Sequence, residues 1–570
     1  MIKKFVFFII FLSVAAMGFY FMQDGSLLDS IFGSKNLTYE QAEKKLNKLV
    51  KKIDWTERFV QRRSSVQLGQ VKDIKNSLPD INQFKMVVNP AKTGNNVIVE
   101  IFTSTEKSGT GIDGIMVEIA QAFNRQNKQI TGSKIAKVAI RRIASGTGYD
   151  FIASKKYIPD AFSPSNHLWI QMAAAHGIVM TPIKEKTVGN IAGVVMKKSV
   201  ADKLRTSYGN ADIKNIINAV VQGNLVMGYT NPFASSTGLN FLVTVLASFA
   251  NGNPDAMLSP EVISSFESFQ KGVPFVALTT LQMRESVQND GSLEAFVMEY
   301  QTYVNTQVLK SGYEFIPFGV PHDNPLYAVG KISEEKKEVL KLFADFADKL
   351  KYKQLAKTYG FNPPVQYTPG FQIPPGDVLV QAQKIWKEKK DAGRPITAIF
   401  LCDISGSMRG GRIGRLKKAL LSGSEFIAPE NSIGIVLFSS AVRQVLPIKK
   451  FNLAHKASFH AAVEDMQTEG KTAMYDGIAV SLSLLVKEKQ KNPDIKPMLF
   501  VLTDGETNEG LTFGRIRPVI SGLNIPIYTI GYEANIDELK RLSSLVEAAS
   551  LNAGQEEIEY KIGSLLNAQM

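Results

Sequence analysis

Cysteine is nearly absent: Cys402 is the only one in 570 residues. A single thiol excludes a disulfide framework and a metal cluster held by cysteines, and its position excludes a lipidated cysteine after a signal segment. Histidine is scarce as well. His167, His176, His322, His455 and His460 show no H-E-x-x-H spacing, and no G-x-S-x-G elbow occurs, so neither hydrolase pattern is present. "GKT" at residues 470–472 resembles the tail of a phosphate-binding loop, but the position of that motif's first glycine holds Asp465, which excludes nucleotide binding on this signal. No enzyme is expected. RNP, KH and zinc-finger patterns are missing too, and the basic residues are spread out, so no nucleic acid partner is expected.

The chain carries 66 Lys and Arg against 53 Asp and Glu, a formal charge of +13. Such an excess suits anionic lipid or the polyanions of a cell wall. A hydrophobic share of 44% and a charged share of 21% are those of folded material, and at ~100 to 200 residues per domain the length predicts about three domains. "MIKK" precedes "FVFFIIFLSVAAMGFYFM" (Phe5 to Met22), 18 residues without a charge, at the short end of the ~17 to 25 that span a bilayer. This is a signal segment or an anchor. The triplet "VAA" would serve a signal peptidase, but the apolar run continues past it, which favours an uncleaved single-pass anchor over residues 1–24. Eleven basic against five acidic residues between Lys35 and Lys75 run against the usual placement of positive charge in the cytoplasm, although long domains are translocated regardless.

Residues 36–90 form a basic juxtamembrane region. "NLTYEQAEKKLNKLVKKI" has Thr38 and Gln41 at capping-box spacing, and Ala42, Leu46, Leu49, Val50 and Ile53 recur on one helical face. Packing on the next domain is the expectation for that face, with contact to anionic headgroups or wall polymers the alternative.

Residues 91–375 alternate short β-rich runs with helical ones: "NVIVEIFTST" then "GIDGIMVEIAQAFNRQN", and later "NLVMGYT" then "SSTGLNFLVTVLASFA". Alternation of this kind predicts α/β folding with a parallel sheet. "TSTEKSG", "PDAFSPSN", "YTNPFASSTG", "PHDNPLYAV" and "AKTYGFNPP" together resemble the bilobal extracellular solute-binding proteins that serve ABC transporters, of the two-crossover, type 2 periplasmic-binding-protein kind. The resemblance covers about half of the chain and implies a small polar or anionic solute. Hydroxyls and backbone N–H groups at a helix start suit such a ligand, because the first N–H groups of a helix are unpaired and the dipole is positive there. Ser104, Thr105, Ser163, Ser165, Ser235, Ser236 and Thr237 are the candidates, each also readable as a cap or turn residue.

Pro and Gly cluster in "TPGFQIPPGDVLV", and a new domain is expected over residues 376–570. It reads strand "ITAIFLC", loop "DISGSMRGGR", helix, strand "SIGIVLF", loop and helix "TEGKTAMYDGIAVSLSLLV", strand "PMLFVLTDG", helix, strand "IPIYTIGY". Strands apolar on both faces belong to a buried parallel sheet, here a doubly wound one. Ligands of such sheets sit outside the carboxyl ends of the strands, where strand order switches. Asp403, Ser405 and Ser407 leave the first strand at that edge, Thr503 and Asp504 leave another, and Thr472 precedes a helix on a third loop. Carboxylates and hydroxyls without His or Cys suit a hard cation. These residues match the von Willebrand factor A family, whose metal-ion-dependent adhesion site is Asp-x-Ser-x-Ser with a distant Thr and a distant Asp. The resemblance implies Mg²⁺ or Mn²⁺ at Asp403, Ser405, Ser407, Thr472 and Asp504, completed by a carboxylate of an acidic protein partner, with Asp476 and Thr507 in support. The whole chain then reads as a membrane-anchored adhesion or sensing protein with its domains on the extracytoplasmic side. A cytoplasm-facing scaffold that assembles with an ATPase is the alternative.

Overall fold

The computed structural model describes residues 37–66, 78–273, 275–277, 280, 283–284, 294–505, 507–532, 536–546, 550–553, 562–563, 565–566 and 569–570. The apolar segment Phe5–Met22 lies outside them, and no helix among the described residues is long and apolar enough to cross a membrane. The chain divides into two compact units, one built on residues 72–393 and the other on residues 394–563 together with the chain up to Val71.

The lysine-rich segment forms helix α1 (Tyr39–Val50), and its capping box is made: Gln41 N donates to Thr38 Oγ1 at 3.4 Å and Thr38 N to Gln41 Oε1 at 3.1 Å. Its apolar face does not pack on the domain that follows in sequence. Ala42, Leu46 and Val50 are buried with Ile516, Val519, Ile520 and Leu523 in the core of the C-terminal unit. Gly522 makes room for this, since a Cβ there would stand 2.7 Å from the Ala42 methyl. Strand β1 (Trp55–Glu57) then joins the same unit's sheet, so the expected 36–90 region contributes to a domain several hundred residues away.

In the middle unit, β2 (Met86–Val88), β3 (Asn96–Thr103), β4 (Ile135–Arg142), β5 (Ala161–Ser163), β6 (Met180–Lys184) and β12 (Leu326–Val329) make one sheet in the order β2-β4-β3-β5-β12-β6. A second sheet has β7 (Asn190–Lys197), β8 (Met227–Thr230), β9 (Phe275–Ala277), β10 (Ala295–Glu299) and β11 (Tyr313–His322) in the order β11-β7-β10-β8-β9. The chain crosses between the sheets after β6 and again after β11, which makes two lobes with two crossovers. Helix α2 (Ser236–Phe249) follows β8 and is buried along nearly its whole length.

Helix α3 (Gly376–Lys389), expected in the C-terminal domain, packs in this unit instead. Gly376, Leu379, Ala382, Gln383 and Trp386 are its buried residues; Trp386 Nε1 donates to Tyr229 OH at 2.5 Å and Gln383 Nε2 to Pro232 O at 2.8 Å. The Pro- and Gly-rich stretch before α3 is thus a loop within the unit, and the boundary falls after Gly393.

The C-terminal unit holds β13 (Ile396–Asp403), β14 (Ser432–Phe438), β15 (Val442–Lys450), β16 (Lys496–Thr503), β17 (Ile527–Tyr532) and β18 (Ser550–Ala553) in a seven-stranded sheet, β1-β15-β14-β13-β16-β17-β18. All eight residues of β13 are buried. β13 is parallel to both β14 and β16, and the chain builds outward first on the β14 side and then on the β16 side. Strand order therefore switches at β13 and β16, and Asp403 stands at that switch.

Candidate functional site

Asp403 is wholly buried at the end of β13. Its Oδ1 accepts from Ser405 N at 2.7 Å and its Oδ2 from Thr503 Oγ1, at the end of β16, at 2.5 Å. Both oxygens are thereby oriented, each with a lone pair left over. Ser405 Oγ and Ser407 Oγ lie 2.9 Å apart, and Ser407 Oγ donates to Asp504 Oδ1 at 2.8 Å. Four of the five expected ligands thus form one continuous cluster, with Asp403, Ser405 and Asp504 buried and Ser407 exposed.

Thr472 enters from a third loop and is held by its main chain. Its N–H donates to Asn508 Oδ1 at 3.0 Å, and its carbonyl accepts from Asn508 N at 2.9 Å and Thr507 Oγ1 at 3.0 Å. The Thr472 loop is also stitched to its neighbours at the backbone: Gly406 N donates to Gly470 O at 3.0 Å, and Ala473 N to Ser439 O, in the loop after β14, at 2.9 Å. Gly406 serves that close approach, since a Cβ there would lie 3.3 Å from Gly470 O. Asp476 accepts from Leu511 N at 2.8 Å and so braces the loop after β16.

Burial holds the Asp403 carboxyl above the ordinary carboxylate range, and the charge of Asp504 pushes it the same way. A cation beside the two carboxylates would offset that effect on Asp403. Arg412 supplies part of that compensation, donating from Nη1 to Asp504 Oδ2 at 2.8 Å and to Ser407 O at 3.1 Å. Among the described residues no group of three or more His, Cys, Asp and Glu could hold a metal. The two carboxylates and the hydroxyls beside them are an all-oxygen donor set, which fits Mg²⁺ or Mn²⁺. Burial lowers the pKa values of His455, which is buried, and His460, which is partly buried; they are bonded to Ile433 O and Ser424 Oγ respectively.

A second polar cluster lies between the lobes of the middle unit. Ser104 and Ser163 are almost wholly buried and, with Thr103, carry hydroxyls that have no hydrogen-bond partner among the described residues. Thr103 and Ser163 are neighbours in the parallel β3–β5 pairing, at the carboxyl ends of their strands. Thr105 is half-buried, and Ser165 Oγ donates to Glu106 Oε1. The hydroxyls at the start of α2 are engaged within the protein: Ser235 caps the helix through Gly238 N at 3.3 Å, Ser236 Oγ accepts from Trp169 Nε1 at 2.9 Å, and Thr237 Oγ1 donates to Glu299 Oε1 at 3.1 Å.

Several charged and amide residues of this cluster were not among the candidates. Lys107 is fully buried, its Nζ donating to Asn324 Oδ1 at 2.8 Å and Pro164 O at 3.0 Å; burial holds its pKa down at about 7. Glu299 receives His322 Nδ1 at 2.9 Å and Asn190 Nδ2 at 3.0 Å, and Asn166 Nδ2 reaches Ser236 O at 3.2 Å. Glu106, Lys107, Asn166, His322 and Asn324 all fall inside stretches that carry the family resemblance, "TSTEKSG", "PDAFSPSN" and "PHDNPLYAV". Glu299 ends β10 and has no such signal.

Two oxygen-rich polar clusters thus lie on α/β frames. Residues 399–557 match the von Willebrand factor type A domain and residues 108–362 the bacterial extracellular solute-binding protein family, so the chain carries both domains. The chain is 30% identical over 151 residues to inter-alpha-trypsin inhibitor heavy chain H1 of Mesocricetus auratus, covering 24% of this chain and 16% of that protein. The H3 chain of Bos taurus is 28% identical over 155 residues, covering 25% and 17%. The chain therefore spans only about a sixth of the length of these relatives. Among solved structures, the sulfate-binding protein SubI from Mycobacterium tuberculosis H37Rv superposes with a TM-score of 0.34 at 14% identity, covering 51% of this chain and 97% of that one. A von Willebrand factor type A structure from Catenulispora acidiphila gives a TM-score of 0.28 at 16% identity, covering 30% and 42%.

Proposed function

We propose that the protein is a two-site binder: a divalent ion, Mg²⁺ or Mn²⁺, held by Asp403, Ser405, Ser407, Thr472 and Asp504 recruits an acidic protein partner, and the bilobal unit takes up a small polar or anionic solute. The observation that carries this reading is the hydrogen-bonded run from Asp403 through Ser405 and Ser407 to Asp504 at the topological switch of a doubly wound sheet. Bound there, the ion supplies an open coordination position for a carboxylate oxygen. The chain's own part is to keep oxygens oriented before the ion arrives: Thr503 and the Ser405 N–H fix Asp403, while Ser407 and Arg412 fix Asp504. Exposure of Ser407 leaves the site open on its outer side. The apolar segment Phe5–Met22 and the extracellular solute-binding family support a single-pass membrane protein with both domains on the extracytoplasmic side.

Isothermal titration of the purified protein with MgCl₂ and MnCl₂ tests the ion site, with Asp403→Ala and Asp504→Ala as controls. Loss of binding in both variants with unchanged far-UV circular dichroism is expected, and undiminished binding in both sinks the reading. A pull-down in Mg²⁺ with and without EDTA, with Asp403→Ala as the control bait, then identifies the partner.

A further inference from the structure

Resting on the solute-binding reading of the middle unit, we propose that its solute carries a cationic amine, alone or within a zwitterion, met by Glu106, and that divalent oxyanions are refused. Glu106 is buried beside the cluster of partnerless hydroxyls, and Ser165 is the one donor among the described residues that reaches its carboxylate. That leaves acceptor capacity on a charged group inside the protein, where a cation or a strong donor is the fitting complement. The adjacent Lys107 does not supply it. Its ammonium is committed to two uncharged oxygens, Pro164 O and Asn324 Oδ1, and forms no ion pair with a carboxylate among the described residues.

The remaining charge in the cluster points the same way. Glu299 accepts from Thr237 and His322 on one oxygen and from Asn190 on the other, and burial, followed by the negative charge of Glu106, pushes its pKa up. Two acids, Glu106 and Glu299, are thus enclosed with the one ammonium of Lys107, and His322 bonds Glu299. A dianion placed here would add to two buried carboxylates, whereas an ammonium group balances one of them. Independently of these acids, Thr103, Ser104 and Ser163 are buried with no partner for their hydroxyls among the described residues. Buried polar atoms in folded proteins are almost always bonded, and hydroxyls, which donate and accept, suit the carboxylate or hydroxyl end of such a solute.

Isothermal titration of the full chain in detergent tests this with two panels: putrescine, spermidine and L-lysine against sodium sulfate, molybdate and phosphate. At least one amine is expected to bind more than about 100-fold tighter than every oxyanion, and Glu106→Gln to weaken that amine by about tenfold or more. Ser163→Ala is expected to weaken it several-fold while leaving the melting temperature of the ligand-free protein unchanged, because its hydroxyl bonds none of the described residues. If Glu106→Gln does not fold, the wild-type preference and Ser163→Ala decide. Oxyanion binding that equals or exceeds amine binding overturns the inference and leaves the solute-binding reading standing; no heat from either panel overturns both.

Discussion

Ser407 donates to Asp504 at 2.8 Å across 97 positions of sequence. The loop that follows β13 and the loop that follows β16 are therefore joined by side chains as well as by the strand pairing beneath them. Arg412 joins them a second time, through the other oxygen of Asp504.

Arg412 places a fixed positive charge against a carboxylate that is expected to serve a cation. Replacing it by Gln keeps the length and removes the charge. Since Arg412 is about one third exposed, the effect is that of a screened pair, up to about 1 kcal/mol or roughly fivefold. Arg412→Gln should bind Mn²⁺ up to about fivefold tighter by titration calorimetry; weaker binding would show that the guanidinium positions Asp504 more than it competes.

Leu46 is a buried member of the C-terminal unit's core although it lies about 350 residues before β13. Leu46→Ala should cost about 2–5 kcal/mol in the unfolding transition of that unit. Differential scanning calorimetry resolves which transition moves, and a shift confined to the solute-binding unit would contradict the packing.

Trp386 is buried in the solute-binding unit with its indole N–H on Tyr229. Trp386→Ala should destabilise that unit by about 3–5 kcal/mol and leave divalent-ion affinity at Asp403 unchanged. Loss of ion binding in this variant would move α3 to the other unit.

Lys107 links stability to pH. Its pKa falls from 10.5 to about 7 on folding, so between these values the unfolded chain binds the extra proton. The stability of the solute-binding unit should then rise with pH through that window, by up to about 1.4 kcal/mol per pH unit, and be insensitive to this group below it. Lys107→Met should flatten the rise in chemical denaturation series run from pH 7 to 9.5, whatever it does to absolute stability.

How much of this was legible beforehand differs from residue to residue. Asp403, Ser405 and Ser407 sit at alternate positions after a fully apolar strand, and a buried parallel strand ending in oxygens can only present them at its carboxyl edge. Alternation of strand and helix carried both α/β units for the same reason. The hydroxyls of α2 were visible as a cluster, but whether Ser235, Ser236 and Thr237 face a ligand or the protein depends on Trp169 and Glu299, which are distant in sequence. Glu106 and Lys107 were overlooked because charged residues in a loop ordinarily face water, and burial is a property of what packs over them.

Local periodicity determined which residues form strands and helices, because the pattern of apolar side chains is written along the chain itself. It also determined the oxygen chemistry at the ends of β13 and β16. Only the tertiary structure decided that α1 completes the C-terminal core, that α3 belongs to the solute-binding unit, and that Glu106, Lys107 and Glu299 are enclosed together. An amphipathic helix specifies a buried face but not the partner that covers it, and a charge has no fixed pKa until the fold sets its distance from water and from other charges.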